Sequence, residues 1–249
     1  MASLQFAGGQ SGLASLPAPQ IWLAGDVPDL AELLPRGGCG IVTNTVIFHQ
    51  LAPRYGGVRP LLEAYLAITN GPVIVEIDGD TVDEILRWSE GACALSSLVG
   101  IKLPTKPVCL EAMRRLAAQG VVVFATTVCS VAQAAAVAAC GARYLAPFVH
   151  PLLEHGEDPY RLIRDIVATF RPHPDMPRVI AGLIREPGEI EASLAAGADG
   201  IVIFTELYRQ ALRHPVTEQW NATFRARWDD ILAAGALDGL RPAGDPASP

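Results

Sequence analysis

Short apolar runs alternate along the chain with longer segments in which apolar residues recur every three to four positions. The runs are QIWLA (20–24), GIVTN (40–44), PVIVEI (72–77), LVGIKL (98–103), VVVFAT (121–126), RYLAPFV (143–149), RVIAGLI (178–184) and GIVIFT (200–205). The helical segments that follow them cover 27–34, 59–69, 80–90, 107–118, 130–140, 158–170, 187–196 and 205–213. Runs that are continuous rather than alternating predict strands covered on both faces, and therefore parallel pairing.

Three joints between a helix and the next strand share one pattern, in AAQGVVVF, AACGARYLA and LAAGADGIVIF. A glycine closes the helix in the left-handed conformation and the strand begins at once. Repeated β-then-α units, with no Gly-rich dinucleotide fingerprint after the first strand, favour a (β/α)8 TIM barrel over an open doubly wound sheet. The barrel is expected over 19–214. A further helix over 215–235, PVTEQWNATFRARWDDILAAG, carries Trp220, Phe224 and Trp228 at four-residue spacing. Such a stripe needs a surface to cover, either the barrel's own flank or a neighbouring subunit. The ends, 1–18 and 236–249, are rich in Gly, Ala, Ser and Pro and are expected to be loosely held.

Half of the 249 residues are hydrophobic, enough for a large core. A formal charge of −7 argues against a nucleic-acid footprint or a polybasic membrane contact. Five cysteines with no C-x-x-C pattern read as reduced thiols. No basic, apolar leader opens the chain and no run has the length of a membrane span, so a cytoplasmic protein is expected. The five histidines form no i, i+4 pair and have no cysteine at ligand spacing, so neither a metal nor another cofactor is expected.

Positive charge is almost all arginine. Of 19 basic residues only Lys102 and Lys106 are lysines, and both lie in LVGIKLPTKP. Arginine cannot lose its proton in a protein, whereas a desolvated lysine can. In TIM barrels the catalytic groups stand at the C-terminal strand ends. Those ends hold Asn44, Glu76, Lys102, Thr126, Phe148 and Arg185. Lys102 sits inside an apolar run, where burial lowers an amine's pKa and frees part of it to attack a carbonyl; the alternative is a lysine that snorkels to the surface. Lys106, beyond Pro104, reads as a solvated cation. Glu76 in VIVEID needs a partner if buried. Asn44 is either a site residue or a helix cap, Thr126 either a site residue or a β-branched strand residue, and Phe148 reads most simply as core.

The order of these segments resembles the transaldolase family, including its fructose-6-phosphate aldolase branch. The likeness rests on GIVTNTVIF, VGIKLPTKPVCLEAMRRLAAQGV, TTVCSVAQAAAVAACGARYLAPFV and the C-terminal helix, in order at matching spacing. It implies class I aldol chemistry on a small carbonyl substrate, a sugar or sugar phosphate. Lys102 would form a Schiff base, Asn44 would hold a donor hydroxyl, and Glu76 with Thr126 would position a proton-shuttling water. Thr43, Asp26, Ala146, Phe148 and Arg185 are the expected substrate contacts. Glu76 and Phe148 look like transaldolase proper, since the aldolase branch usually has Gln and Tyr there. The resemblance also implies homo-oligomers.

Two positions depart from the family's pattern. Its first strand ends in an aspartate, whereas IWLAGD offers Leu23 or, one residue later, Ala24. Its P-F-V-G-R segment offers an arginine where PFVHPLL has Pro151. Three readings follow: a Schiff-base aldolase or transaldolase with altered acid–base and phosphate-binding residues, an ordinary transaldolase moving a dihydroxyacetone unit, or a non-catalytic barrel that binds a metabolite. The survival of Lys102 in a chain nearly stripped of lysine favours the first.

Overall fold

The computed structural model describes residues 19–173, 175–237 and 240. Eight parallel strands close into one barrel in sequence order: β1 Gln20–Ala24, β2 Gly40–Val42, β3 Val73–Glu76, β4 Val99–Pro104, β5 Val123–Val128, β6 Tyr144–Pro147, β7 Arg178–Ala181 and β8 Gly200–Phe204. The helices are α1 Val27–Leu33, α2 Thr45–Tyr55, α3 Val58–Ala67, α4 Val82–Cys93, α5 Pro107–Ala118, α6 Val131–Ala139, α7 His150–Glu154, α8 Pro159–Phe170, α9 Pro187–Ala195, α10 Thr205–Ala211 and α11 Pro215–Ala233. The fold is the expected (β/α)8 barrel with an additional C-terminal helix. The chain divides into two compact units, Met1–Tyr208 and Arg209–Pro249. The loosely held ends expected at 1–18 and 236–249 lie outside the described residues, apart from Ala236, Leu237 and Leu240.

Each strand buries two faces, as the unbroken apolar runs require. Leu23, Ile41, Val75, Ile101, Ala125, Leu145, Ala181 and Ile203 belong to the layer shared with the helices. The alternate positions Trp22, Val42, Ile74, Phe124, Tyr144, Ala146 and Ile180 pack inside the barrel, with Val202 against them. Trp22 meets Phe124 and Tyr144 edge-on, with ring centroids 5.9 and 5.3 Å away. Three aromatic rings fit in one interior because neighbouring strands offer glycine on the same face. A Cβ at Gly40 would stand 2.8 Å from the Trp22 ring, and one at Gly100 would stand 2.7 Å from the end of Ile74. This aromatic plug fills the barrel below its C-terminal rim.

Two helices were not expected. α2 begins on Asn44, whose side-chain oxygen accepts from the Ile47 N–H at 2.7 Å, and it contains Pro53. α7 is a single short turn beginning at His150 and Pro151. α7 is too short to show a period, and Pro53 inside α2 reads as a helix breaker in the sequence. α11 carries Trp220 and Phe224 with rings 5.3 Å apart, and Trp220, Phe224 and Trp228 are all exposed. None of the described helices is long and apolar enough to cross a membrane.

Candidate active site

Glu76 and Lys102 are register partners across β3 and β4, at the C-terminal ends of both strands. Register alone brings their side chains together. Lys102 Nζ lies 2.8 Å from Glu76 Oε2, and the lysine side chain is 9% exposed. Burial pushes the Lys102 ammonium below its ordinary pKa, while the Glu76 carboxylate acts in the opposite direction. The amine is therefore less basic than a free lysine, and its proton has an acceptor in direct contact.

The second lysine forms a second pair, further out. Lys106 Nζ contacts Asp78 Oδ1 in a more exposed bridge. Hydrogen bonding to Asp78 raises the Lys106 pKa, the reverse of what befalls Lys102. Desolvation raises the Asp78 carboxyl, but the hydrogen bonds from Lys106 and the Gly79 N–H outweigh it and hold it below the usual range. The two lysines thus have opposite chemistry: one is buried and weakened as an acid-bound cation, the other is a partly solvated ion.

The alternation of faces says which strand-end residues share the Lys102 side. Trp22 packs in the interior cluster, so by alternation the inward position that closes β1 is Ala24, a buried residue that also packs against the helix-side cluster. The corresponding positions are Asn44 after β2, Glu76 on β3, Lys102 on β4, Thr126 on β5, Phe148 after β6, Gly182 after β7 and Phe204 on β8. Lys102, Glu76, Thr126 and Asn44, the four expected catalytic residues, therefore stand on or just beyond four consecutive strands of one rim. Thr126 is buried. Its carbonyl accepts from both the N–H and the hydroxyl of Thr105, which fixes the end of β5 against the end of β4. The next residue, Thr127, has φ +59°, strained for a β-branched side chain, and its hydroxyl accepts from the Thr105 N–H at 2.8 Å. That strain sits one residue beyond the rim.

Asn44 both lies on the rim and caps α2, using its oxygen for the cap. The expected substrate contacts are spread over three environments. Thr43 faces away from the interior. Its hydroxyl donates to the Ile74 carbonyl and accepts from the Glu76 N–H, both at 3.1 Å, which stitches β2 to the strand that bears Glu76. Asp26 caps α1 through the Val27 N–H, accepts from the Tyr55 hydroxyl at 2.6 Å and pairs with Arg54 at 2.8 Å. Desolvation raises the Asp26 pKa, yet these partners together bring it below the ordinary value. Its carboxylate is an anchor for the β1 end. Ala146 is part of the aromatic plug, and Phe148 is half-buried, bridged to Gly182.

Arg185 is exposed beyond β7, and its backbone N–H donates to Glu189 Oε2 at 2.8 Å. The other Glu189 oxygen lies 2.7 Å from His150 Nδ1. Glu189 is buried at the start of α9, so it ties the loops after β6 and β7 together. Sequence reading missed this carboxylate, because its partner lies 39 residues away. It also missed Phe204, hidden within a continuous apolar run. Among the described residues, no group of three or more His, Cys, Asp or Glu is placed to hold a metal ion.

Residues 45–238 match the model of the Transaldolase/Fructose-6-phosphate aldolase family. The chain belongs to this family. It is 30% identical over 207 residues to a probable transaldolase of Moorella thermoacetica, covering 83% of this chain and 96% of that protein. It is 31% identical over 207 residues to a probable transaldolase of Maridesulfovibrio salexigens, covering 83% of this chain and 97% of that protein. A solved thiamine phosphate pyrophosphorylase from Pyrococcus furiosus has a similar fold, with a TM-score of 0.51 and 19% identity over 75% of this chain and 85% of that one. At that identity it speaks for the barrel architecture alone.

Proposed function

We propose that this transaldolase-family member is a Schiff-base aldolase, in which Lys102 forms an iminium with a ketose or sugar phosphate to make or break a C–C bond. The supporting observation is the buried Lys102–Glu76 pair at the C-terminal rim of the barrel. Glu76 takes the ammonium proton, and the free amine adds to the substrate carbonyl carbon. Glu76 then returns the proton to the carbinolamine hydroxyl, which leaves as water. The bond between the carbons α and β to the iminium breaks, and its electron pair moves into the iminium to give an enamine. The hydroxyl on the β-carbon loses its proton, and the fragment bearing it departs as an aldehyde. Addition of the enamine to an aldehyde runs the same steps in reverse.

The proton on the β-hydroxyl needs a base, and the inward position closing β1 is Ala24. Asp26 and Asp78 are paired with Arg54 and Lys106, which take no part in these steps, whereas the partner of Glu76 is the reacting amine itself. Glu76, working through water beside Thr126, is thus assigned both proton transfers, a contribution of roughly 10²–10⁴ in rate. Asn44 can cap with its oxygen while its amide N–H groups donate to a donor hydroxyl. No cofactor enters these steps. This reading goes with a cytoplasmic homo-oligomer, for which the exposed aromatic face of α11 is a contact surface.

Enamine formation is directly observable. In heavy water the protein should exchange the carbon-bound protons of dihydroxyacetone, followed by NMR, and Lys102→Met should abolish the exchange. Exchange that persists in Lys102→Met, or is absent from the wild-type protein with every ketose tried, would overturn the proposal.

A further inference from the structure

The rim residues divide into two arcs. Going round the closed barrel, β2 to β5 present Asn44, Glu76, Lys102 and Thr126, all polar. Strands β6, β7, β8 and β1 present Phe148, Gly182, Phe204 and Ala24, none of which carries a polar side chain. Phe204 is 44% exposed although Ile203 before it and Thr205 after it are buried. Its face is fixed by register. Val202 packs on the interior cluster, Ile201 and Ile203 lie in the helix layer, and Phe204 follows Val202's side. It is paired in register with Ala24, a large residue beside a small one.

Leu183, which follows Gly182, is held at φ +54°. Leucine in that conformation is strained, and its carbonyl accepts from the His150 N–H while the Gly182 carbonyl accepts from the Val149 N–H. The loops after β6 and β7 are thus fixed to each other, and the arc is preformed. A wall of this kind, facing a polar arc, leaves a substrate's hydroxyls satisfied on one side only. A polyhydroxylated or phosphorylated group on the apolar side would lose water without gaining partners.

We infer that Phe204, with Phe148 on the same arc and the small Ala24 and Gly182 leaving space between them, forms the recognition wall for an apolar aldehyde, one bearing an alkyl or aryl group, as the second half of the C–C bond. The reaction part of this inference rests on the Schiff-base reading; the binding part does not. Arg185 stands on the outer edge of the same arc and is the rival determinant, one that would favour a phosphorylated aldehyde.

The test compares aldol addition of dihydroxyacetone to phenylacetaldehyde, hexanal, glycolaldehyde and glyceraldehyde 3-phosphate, alongside binding of the unreactive 2-phenylethanol. We expect kcat/KM to be at least about tenfold higher for the two apolar aldehydes than for glycolaldehyde, a spread within reach of a hydrophobic pocket. Phe204→Ser should shrink that ratio about tenfold and weaken 2-phenylethanol binding. Phe204 is exposed, so the substitution spares the core, and an unchanged melting temperature checks this. A preference for glyceraldehyde 3-phosphate that Arg185→Gln removes overturns the inference, as does a ratio or alcohol affinity indifferent to Phe204→Ser. If dihydroxyacetone exchanges no protons, the Schiff-base reading fails. The wall then stands if 2-phenylethanol binds in a Phe204-dependent manner, and falls if it does not.

Discussion

Lys102 Nζ and Glu76 Oε2 lie 2.8 Å apart across two neighbouring strand ends, inside a rim from which the lysine is nearly excluded from water. Desolvation and the carboxylate pull the amine's pKa in opposite directions, and desolvation wins. The rate of reductive methylation at Lys102 should therefore rise with pH through a midpoint below 10.5, the ordinary lysine value. Glu76→Gln removes the opposing influence and should move the midpoint lower still. A midpoint at or above the free-lysine value, or an upward shift in Glu76→Gln, would contradict this.

The same pair has a consequence for stability. A lysine whose folded pKa is depressed binds fewer protons folded than unfolded, so it penalises folding at pH values below that folded pKa. The penalty is relieved as pH rises from there toward 10.5. Replacing both charges with apolar groups removes it. Lys102→Met with Glu76→Leu should be inactive yet as stable as the wild-type protein or more so, by up to about 1–4 kcal/mol at neutral pH. Lys102→Met alone strands the Glu76 carboxylate and should be less stable than the double variant. Chemical denaturation of the three proteins decides it; a double variant several kcal/mol less stable than the wild type would show that the pair is structural.

Asp26 should behave as an anchor. Asp26→Ala removes the α1 cap and the acceptor of the Tyr55 hydroxyl, for an expected loss of about 1–3 kcal/mol. Its folded pKa lies below the ordinary value of 3.8, so its contribution is present above that pH and fades as pH falls through the folded pKa. Asp26→Ala should thus flatten the acid limb of the stability–pH curve. A variant of unchanged stability with lost activity would instead return Asp26 to the chemistry.

Packing under the rim can be tested by coupling. Gly100→Ala drives a Cβ to within 2.7 Å of the end of Ile74 and 3.1 Å of the Val122 carbonyl. Overpacking of this kind costs about 1–3 kcal/mol. Ile74→Val shortens the side chain in the way. The double variant should therefore lose less stability than the sum of the two single losses, by about 0.5 kcal/mol or more. Additive losses would mean that the backbone contact alone sets the cost.

The barrel was legible because doubly covered strands read as unbroken apolar runs, but the same feature hides which residues face inward. QIWLA does not say whether Leu23 or Ala24 closes the first strand; Trp22 in the interior cluster, two residues before Ala24, does. GIVIFT likewise conceals Phe204. Lys102 and Glu76 stood out as charges within such runs, and their pairing followed from strand register. The partners of Asp26 and Glu189 lie 29 and 39 residues away, beyond any local pattern. Asn44 was open between a cap and a site residue, and it occupies a position that allows both.

The chain's two lysines make the central test simple to read. The protein is incubated with dihydroxyacetone, treated with sodium borohydride, digested, and mapped by mass spectrometry. A single reduced adduct on the peptide bearing Lys102, absent from Lys102→Met, is the expected result. An adduct on Lys106 instead, or none with dihydroxyacetone or fructose 6-phosphate, would contradict the account.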